Sequence, residues 1–434
     1  MRAKLLVLLA VAVVVQASVA AAATGDTVLR GTFLVAHADS RGGTGAEHVY
    51  LLKTRNGYFE LHFDRAPSVA SNQGVIVSGS RDGRDLRVSE IRETNAVTEA
   101  VQSTDTLETL VMLVTWSSAP PDSVTPAQVE SQIGGVDDAW YEEASYGRVG
   151  LSATATPWLT IADPGSGCPL GELITGAESA AAASGFAAGA YDLEMIYVPW
   201  TAGLCPGWAG LAFVSGRISF IFGYMDTRVT VHELGHNLGL WHSHSLRCTD
   251  ATEQVPYGQT CDPFDEYGDP FDAMGHGFFG VGHFNVAQKR LLGWMAGRYV
   301  DVSTPLRSPV RVNLSPLETD GGVKAVAIRT SAITFWVEYR EAVGVDSWLS
   351  NWPGALNGVL VHIPQPSDGS NGSNLLDMTP NSIWGWSDAA LPVGASYTDP
   401  SRSFTLTVRS RTQGGVTVVV RRPVGNQPAG GSPE

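Results

Sequence analysis

The rhythm of hydrophobic and polar positions changes twice along the chain. From residue 27 to 92, short β-rich runs are broken by Gly, Asn and Asp turns: Val28–Ala36, His48–Lys53, Tyr58–Phe63, Gly74–Ser80 and Asp85–Ile91. Asn56-Gly57 between two of these runs is a hairpin signal. About five strands predict a small β-barrel-like unit over 27–92. Residues 93–107 are largely polar and read as an exposed linker. Beyond it, strand and helix patterns alternate. Leu110–Trp116 reads as a buried strand, and Pro126 to Ala144 as a helix with apolar Val129, Ile133, Val136 and Trp140. Gly150–Ala153 and Leu193–Val198 are further strands, with an Ala-rich helix around Leu170–Ala183 between them. Ala209–Val214 and Ile218–Phe222 follow, then a helix from Thr227 with Asp226 as its N-cap. This alternation predicts an α/β domain over 108–298 with a mostly parallel sheet and covering helices. From Tyr299 strands dominate again (Val310–Leu314, Val323–Arg329, Thr334–Arg340, Gly358–Ile363, Ser403–Val408, Val416–Arg421), predicting a β-sandwich over 299–422. The Gly/Pro-rich residues 423–434 read as a disordered tail.

Composition adds a compartment and removes some partners. At 434 residues the chain is multidomain, and its net charge of −15 comes without a basic patch, which disfavours nucleic acid and anionic membrane surfaces. Arg2 and Lys4, an apolar run from Leu5 to Val15 and small residues through Ala23 predict a secretory signal over 1–23. That run is shorter than the roughly 20 residues a membrane span needs, and no later stretch would serve, so no stable membrane anchor is expected and the chain reads as secreted. Cys168, Cys205, Cys248 and Cys261 are an even set suited to an oxidising compartment. Three pairings exist; Cys168–Cys205 and Cys248–Cys261 are favoured because each closes a modest loop between neighbouring elements.

The chemistry concentrates in one run, His232-Glu-Leu-Gly-His236-Asn-Leu-Gly239-Leu-Trp-His242. On a helix His232 and His236 lie one turn apart on one face, within reach of a single zinc ion, with Glu233 beside them. Gly239 can take the left-handed conformation that ends a helix and brings His242 back as a third ligand, which leaves one position open. The run matches H-E-x-x-H with an extension, and chance agreement over all its positions is rare. Some thirty residues on, Asp272-Ala273-Met274-Gly275 fits a Met-turn beneath the imidazoles.

These residues resemble the metzincin clan of zinc endopeptidases. Asp265-Glu-Tyr-Gly-Asp269-Pro-Phe-Asp272-Ala-Met274-Gly, with His283-Phe-Asn285 and Leu292-Gly-Trp294, resembles the gametolysin family within it, over about residues 108–298. The resemblance implies hydrolysis of protein or peptide substrates, with extracellular matrix or cell-wall glycoproteins as candidate targets. Glu233 would act as the base that takes a proton from the attacking water and returns it to the leaving amine. It also implies that Ala209–Val214 is an exposed edge strand that pairs with substrate. His276, two residues past Met274, stands where some relatives carry a tyrosine that assists the oxyanion or adds a fifth ligand; a loop histidine is the plainer reading. His244 could compete with His242 for the metal. The 27–92 unit reads as the prodomain of a zymogen. No cysteine precedes Cys168, so a propeptide thiol cannot block the zinc; a carboxylate or backbone group over the metal, or steric cover, are the alternatives. The acidic residues of 262–272 could bind Ca²⁺, although their spacing matches no EF-hand. Trp384 and Trp386 read either as a surface recognition platform or as buried core. The rival reading from another class is a secreted cell-wall or glycoprotein binding protein with a vestigial zinc site.

Overall fold

The computed structural model describes residues 27–40, 46–97, 105–258, 260–276, 280–365, 371–412 and 414–423. The expected leader, residues 98–104 of the expected linker and the tail from 424 lie outside them. The protein is β-rich, with several sheets and few helices. Strands β1 (Thr27–Ser40), β2 (Ala46–Thr54), β3 (Gly57–His62), β4 (Gln73–Asp82) and β5 (Asp85–Val97) run in the order β2-β3-β5-β4-β1, and a β1–β2 pairing closes them into a small barrel. Phe33, Val35, Leu52, Phe59, Val75, Val77 and Leu86 fill it. Gly57 sits at φ +97°, the left-handed backbone that the Asn-Gly turn requires. Two strand ends differ from the pattern-based expectation. β5 continues into the stretch expected as linker, and β1 continues past Ala36 to Ser40.

That extension changes the architecture. Residues 36–40 of β1 pair antiparallel with β10 (Trp208–Phe213), so the barrel and the next unit share one 11-stranded sheet. Beyond β10 lie β11 (Ile218–Phe222), β9 (Leu193–Val198), β6 (Asp105–Thr115) and β7 (Val149–Ala155), with the two-residue β8 (Leu159–Thr160) beside β6. The β11–β9, β9–β6 and β6–β7 pairings are parallel, and β10 is antiparallel to β11. Helix α3 (Leu170–Ala183) covers one face through Leu170, Leu173, Ile174 and Ala177. On the other face lie α1 (Pro126–Ser131), α2 (Asp138–Ser145) and α4 (Thr227–Asn237). Thr125 caps α1 with a reciprocal Gln128 contact, and Pro126 occupies its first turn. A π-helical segment, Gln132–Asp137, joins α1 to α2. Its wider turn shifts the helical phase, so Val136, expected on the apolar face, is 52% exposed and Asp137 points inward instead.

The rest of the chain builds two further sheets. Strands β12 (Ser243–Asp250), β13 (Glu253–Val255), β14 (Thr260–Asp265), β15 (Tyr299–Ser303), β17 (Ala325–Arg329), β18 (Thr334–Glu338), β19 (Gly358–Gln365), β20 (Gly372–Leu376) and β21 (Leu391–Pro392) form one of nine strands. The intervening β16 (Val310–Leu314) joins β22 (Ser396–Thr398), β23 (Thr405–Thr412) and β24 (Gly415–Arg421) in a four-stranded sheet. The two sheets share one apolar core that includes Val326, Val337, Val361, Leu406 and Val418. β12 comes from the stretch expected to belong to the preceding α/β domain, yet it pairs in parallel with β20. Both favoured disulfides are present, Cys168–Cys205 and Cys248–Cys261, the second across the β12–β14 pair. Trp384 is 69% exposed beside Ile383, whereas Trp386 packs against the neighbouring core.

A buried ionic cluster locks these sheets to the short helix α5 (Val286–Leu291) and the loop before it. Arg340 is fully enclosed between Glu338, at 2.7 Å, and Asp346, at 2.7 Å, and its remaining nitrogen donates to the His283 carbonyl. Glu338 in turn accepts from the Val286 amide. Arg340→Ala would strand these carboxylates in the interior, which costs about 3–5 kcal/mol. The midpoint of urea unfolding should fall accordingly, and an unchanged midpoint would show that the cluster carries no net stability.

Candidate metal centre

Helix α4 begins at Asp226, whose carboxylate accepts from the Arg228 and Val229 amides. It ends in a Schellman turn: the Gly239 amide donates to the His236 carbonyl and the Leu240 amide to that of Gly235, with Gly239 at φ +100°. The reversal carries His242 back over the helix. Its Nε2 lies 3.2 Å from Nε2 of His232. The ring of His236 lies 5.1 Å from that of His242 and 4.8 Å from that of His232. All three imidazoles are buried. Main-chain carbonyls orient two of them: Nδ1 of His232 donates to Ala273 at 2.8 Å, and Nδ1 of His236 to Leu240 at 2.8 Å. With those protons on Nδ1, both Nε2 lone pairs face the centre. His242 Nδ1 meets the Glu266 carboxylate at 3.2 Å.

The barrel supplies further groups at the same point. On β1, His37 and Asp39 are two residues apart and so share a face. Asp39 Oδ1 is 2.8 Å from His242 Nε2 and 3.4 Å from His232 Nε2, and Oδ2 is 3.5 Å from His236 Nε2. Tyr267 donates its hydroxyl to Asp39 Oδ1 at 2.7 Å, with its ring 4.2 Å from that of His242. His37, Asp39, His236 and His242 each offer a ligand atom within 4.8 Å of the others. The donor set fits a zinc ion: imidazole nitrogens and carboxylate oxygens are its usual ligands. His236 Nε2 and Asp39 Oδ2, both buried, have no hydrogen-bond partner. An ion bound there would satisfy both.

Without a cation the charges are strained. Burial pulls His236 down to about 4, despite the Asp39 carboxylate. Burial also works against protonation of His242, but Asp39 and then Glu266 outweigh it and push that ring up to about 9. Asp39 is held well below the usual carboxylate range by His232 and His242, against its own burial. Glu233 is fully buried, and neither of its oxygens has a hydrogen-bond partner. Burial, then the neighbouring Asp39 charge, raises its carboxyl well above the ordinary value. Gly210 of β10 makes room for it, since a Cβ there would stand 2.0 Å from Glu233 Oε1.

The other expected residues fall on different sides of the site. Met274 is buried directly under the helix, where a Cβ on Gly235 would come within 2.5 Å of its sulfur. The Asp272 carboxylate holds this turn by accepting from the Met274 and Asn285 amides. The half-buried His276 is tied by its amide to the Asp269 carbonyl and is absent from the group of converging ligand atoms among the described residues. His244 lies on β12 opposite Asn374, its ring 6.3 Å from that of His242. The acidic loop is engaged by protein partners: Asp265 accepts from the Tyr267 amide, Glu266 meets His242, and Asp269 meets His362 at 2.8 Å. Asp39, His37 and Tyr267 are the site residues that sequence reasoning missed. Tyr267 stood in the quoted Asp-Glu-Tyr-Gly text, whereas His37 and Asp39 carried no local signal.

A comparison with curated proteins finds no match. The family model for gametolysin peptidase M11 matches residues 108–352, a span that takes in the three histidines, Glu233, Tyr267 and Met274. That match covers more than half of the chain, and the protein belongs to the gametolysin peptidase family.

Proposed function

We propose that the protein is an exported zinc-dependent endopeptidase, with His232, His236 and His242 as metal ligands and Glu233 as general base. The observation that carries this reading is Glu233, a carboxylate buried beside three convergent imidazoles with neither oxygen engaged. A purely structural metal has no use for such a group, which speaks against the binding-protein alternative. The family makes proteins or peptides the substrates. Two disulfides are compatible with an extracellular protein, and no helix among the described residues is long and apolar enough to cross a membrane.

A zinc ion held by the three imidazoles would supply Lewis acidity toward a water molecule and a peptide carbonyl. The remaining work belongs to side chains. Glu233 takes the proton of the attacking water on a free oxygen and returns it to the leaving amine nitrogen. Tyr267 aims its hydroxyl at the place now filled by an Asp39 oxygen, where a carbonyl oxygen gaining negative charge would accept from it. This gives Tyr267 the role considered for His276. β10 lies against Glu233 at Gly210, so a peptide extended along β10 would pass its backbone beside both the base and the histidines. Met274 and the Asp272 turn keep the imidazoles from shifting.

Glu233→Gln should keep about one zinc per chain while hydrolysis of a protein substrate falls by about 10²-fold or more. Loss of zinc in this variant would make the carboxylate a ligand, and retained hydrolysis would remove it from the mechanism. His242→Ala should abolish stoichiometric zinc, measured by atomic absorption, whereas His244→Ala should not; the reverse result would exchange their roles.

Tyr267→Phe should lower kcat by about 10²-fold with little change in KM or zinc content, as expected for a donor used mainly in the transition state. An unchanged kcat would leave the tyrosine with a packing role only.

A further inference from the structure

We propose that Asp39 is a fourth zinc ligand supplied by the N-terminal barrel, and that the segment carrying it lies in the substrate's place, so that the intact chain is latent. The proposal rests on the zinc-peptidase reading above and assigns the regulation of that site.

Distances support the assignment. Ligands about 2.0–2.1 Å from a tetrahedral ion stand roughly 3.3–3.4 Å from one another. The separations His232–His242, Asp39–His242, Asp39–His232 and Asp39–His236 are 3.2, 2.8, 3.4 and 3.5 Å. Four donors at such spacing form a closed set, with no position left for water. Charge agrees, because three neutral imidazoles leave a dication uncompensated in a buried site and one carboxylate halves the excess. His37 is the competing candidate on the same strand. Its ring stacks on that of His236 at 5.0 Å and meets that of His242 edge-on at 4.1 Å between centroids, while Asp39 directs an oxygen at each of the three nitrogens.

The strand supplies the second half. β10 was expected to offer a free edge to substrate; here residues 36–40 of β1 occupy that edge, with Ala36 opposite Phe213, Ala38 opposite Leu211 and Asp39 opposite Gly210. Gly210 is also the residue against which Glu233 stands. An extended segment therefore passes the catalytic base in the position of a bound peptide and places a carboxylate where the scissile carbonyl would be. The pairing breaks register between Asp39 and Ser40, immediately after the proposed ligand. Ala36 and Ala38 are small and buried on this strand, and the barrel anchors it from the other end through the Thr27–Phe33 pairing with β4. Withdrawal of the barrel would open the metal position and the β10 edge together.

The test uses the full, uncut chain as wild type, Asp39→Ala, Asp39→Asn and His37→Ala, with zinc affinity measured by competition against a chromophoric chelator and hydrolysis followed on a fluorogenic peptide. Asp39→Asn preserves the size of the side chain and so controls for folding. Both Asp39 variants should bind zinc about tenfold or more weakly than wild type, as loss of a ligand requires, and His37→Ala should not. Uncut wild type should hydrolyse the peptide at least about tenfold more slowly than the same chain after limited proteolysis releases the barrel, because withdrawal opens the metal position and the β10 edge together. Equal zinc affinity in all four chains, or a loss confined to His37→Ala, would overturn the proposal. So would an uncut wild-type chain that hydrolyses the peptide as fast as the cut one, since the segment would then impose no latency. If the affinities shift as expected but no chain hydrolyses peptide even after proteolysis, Asp39 stands as a ligand and the peptidase reading is what fails.

Discussion

Three imidazole nitrogens aimed at one point in a dry interior are unstable company unless something positive lies between them. In water each lone pair would be solvated; here burial removes that option, and the cost of an unpaired buried acceptor must be met by a proton or a metal ion. The protein is built around this constraint. Carbonyls of Ala273 and Leu240 hold two Nδ1 protons and so fix which nitrogen faces inward, and Glu266 does the same from a carboxylate for the third ring. The helix end, the glycine turn and the loop beneath the site follow from the need to hold those rings still.

The support extends well beyond the motif. The turn under helix α4 is held by Asp272, whose partner Asn285 also reaches Ser373 on β20 at 2.7 Å. Asp269 in the same loop meets His362 of β19. The C-terminal strands are therefore structural neighbours of the histidine cluster and not a module hung from it. The Arg340 cluster, which ties β18 to the loop before α5, belongs to the same framework.

The same sheet that borders the histidine cluster also takes in the N-terminal barrel. An antiparallel strand on the free edge of β10 and a carboxylate among the histidines are two contacts made by one short segment. Backbone pairing sets where the segment lies, and the alternation of side chains along a strand then decides that residues 37 and 39, and not 36 and 38, enter the site. A cysteine is not needed for that geometry. Carboxylate oxygens are also among the usual ligands of zinc.

Much of this could be read from the chain. Helical periodicity puts His232 and His236 on one face, Gly239 is one of few residues that tolerate the turn to His242, and alternating runs located the strands of the barrel and fewer than half of those in the two C-terminal sheets. Each of these is a local property, set within a few residues by steric preference and by which face must be buried. What the sequence could not decide was adjacency. Asp39 and His242 are 203 positions apart, and nothing near either marks the other as a neighbour. Pattern alone ended β1 at Ala36, because His37, Asp39 and Ser40 look like the polar exit of a strand; they remain in the sheet because β10 and β2 offer backbone partners and the histidines offer charge. The π-helical turn that exposes Val136 and the pairing of β12 with β20 are of the same kind. The chain by itself determined which atoms could bind a metal, since that depends on residue type and local periodicity. Tertiary structure alone decided what stands in front of them, since strand register and long-range pairing are settled only when the sheets assemble.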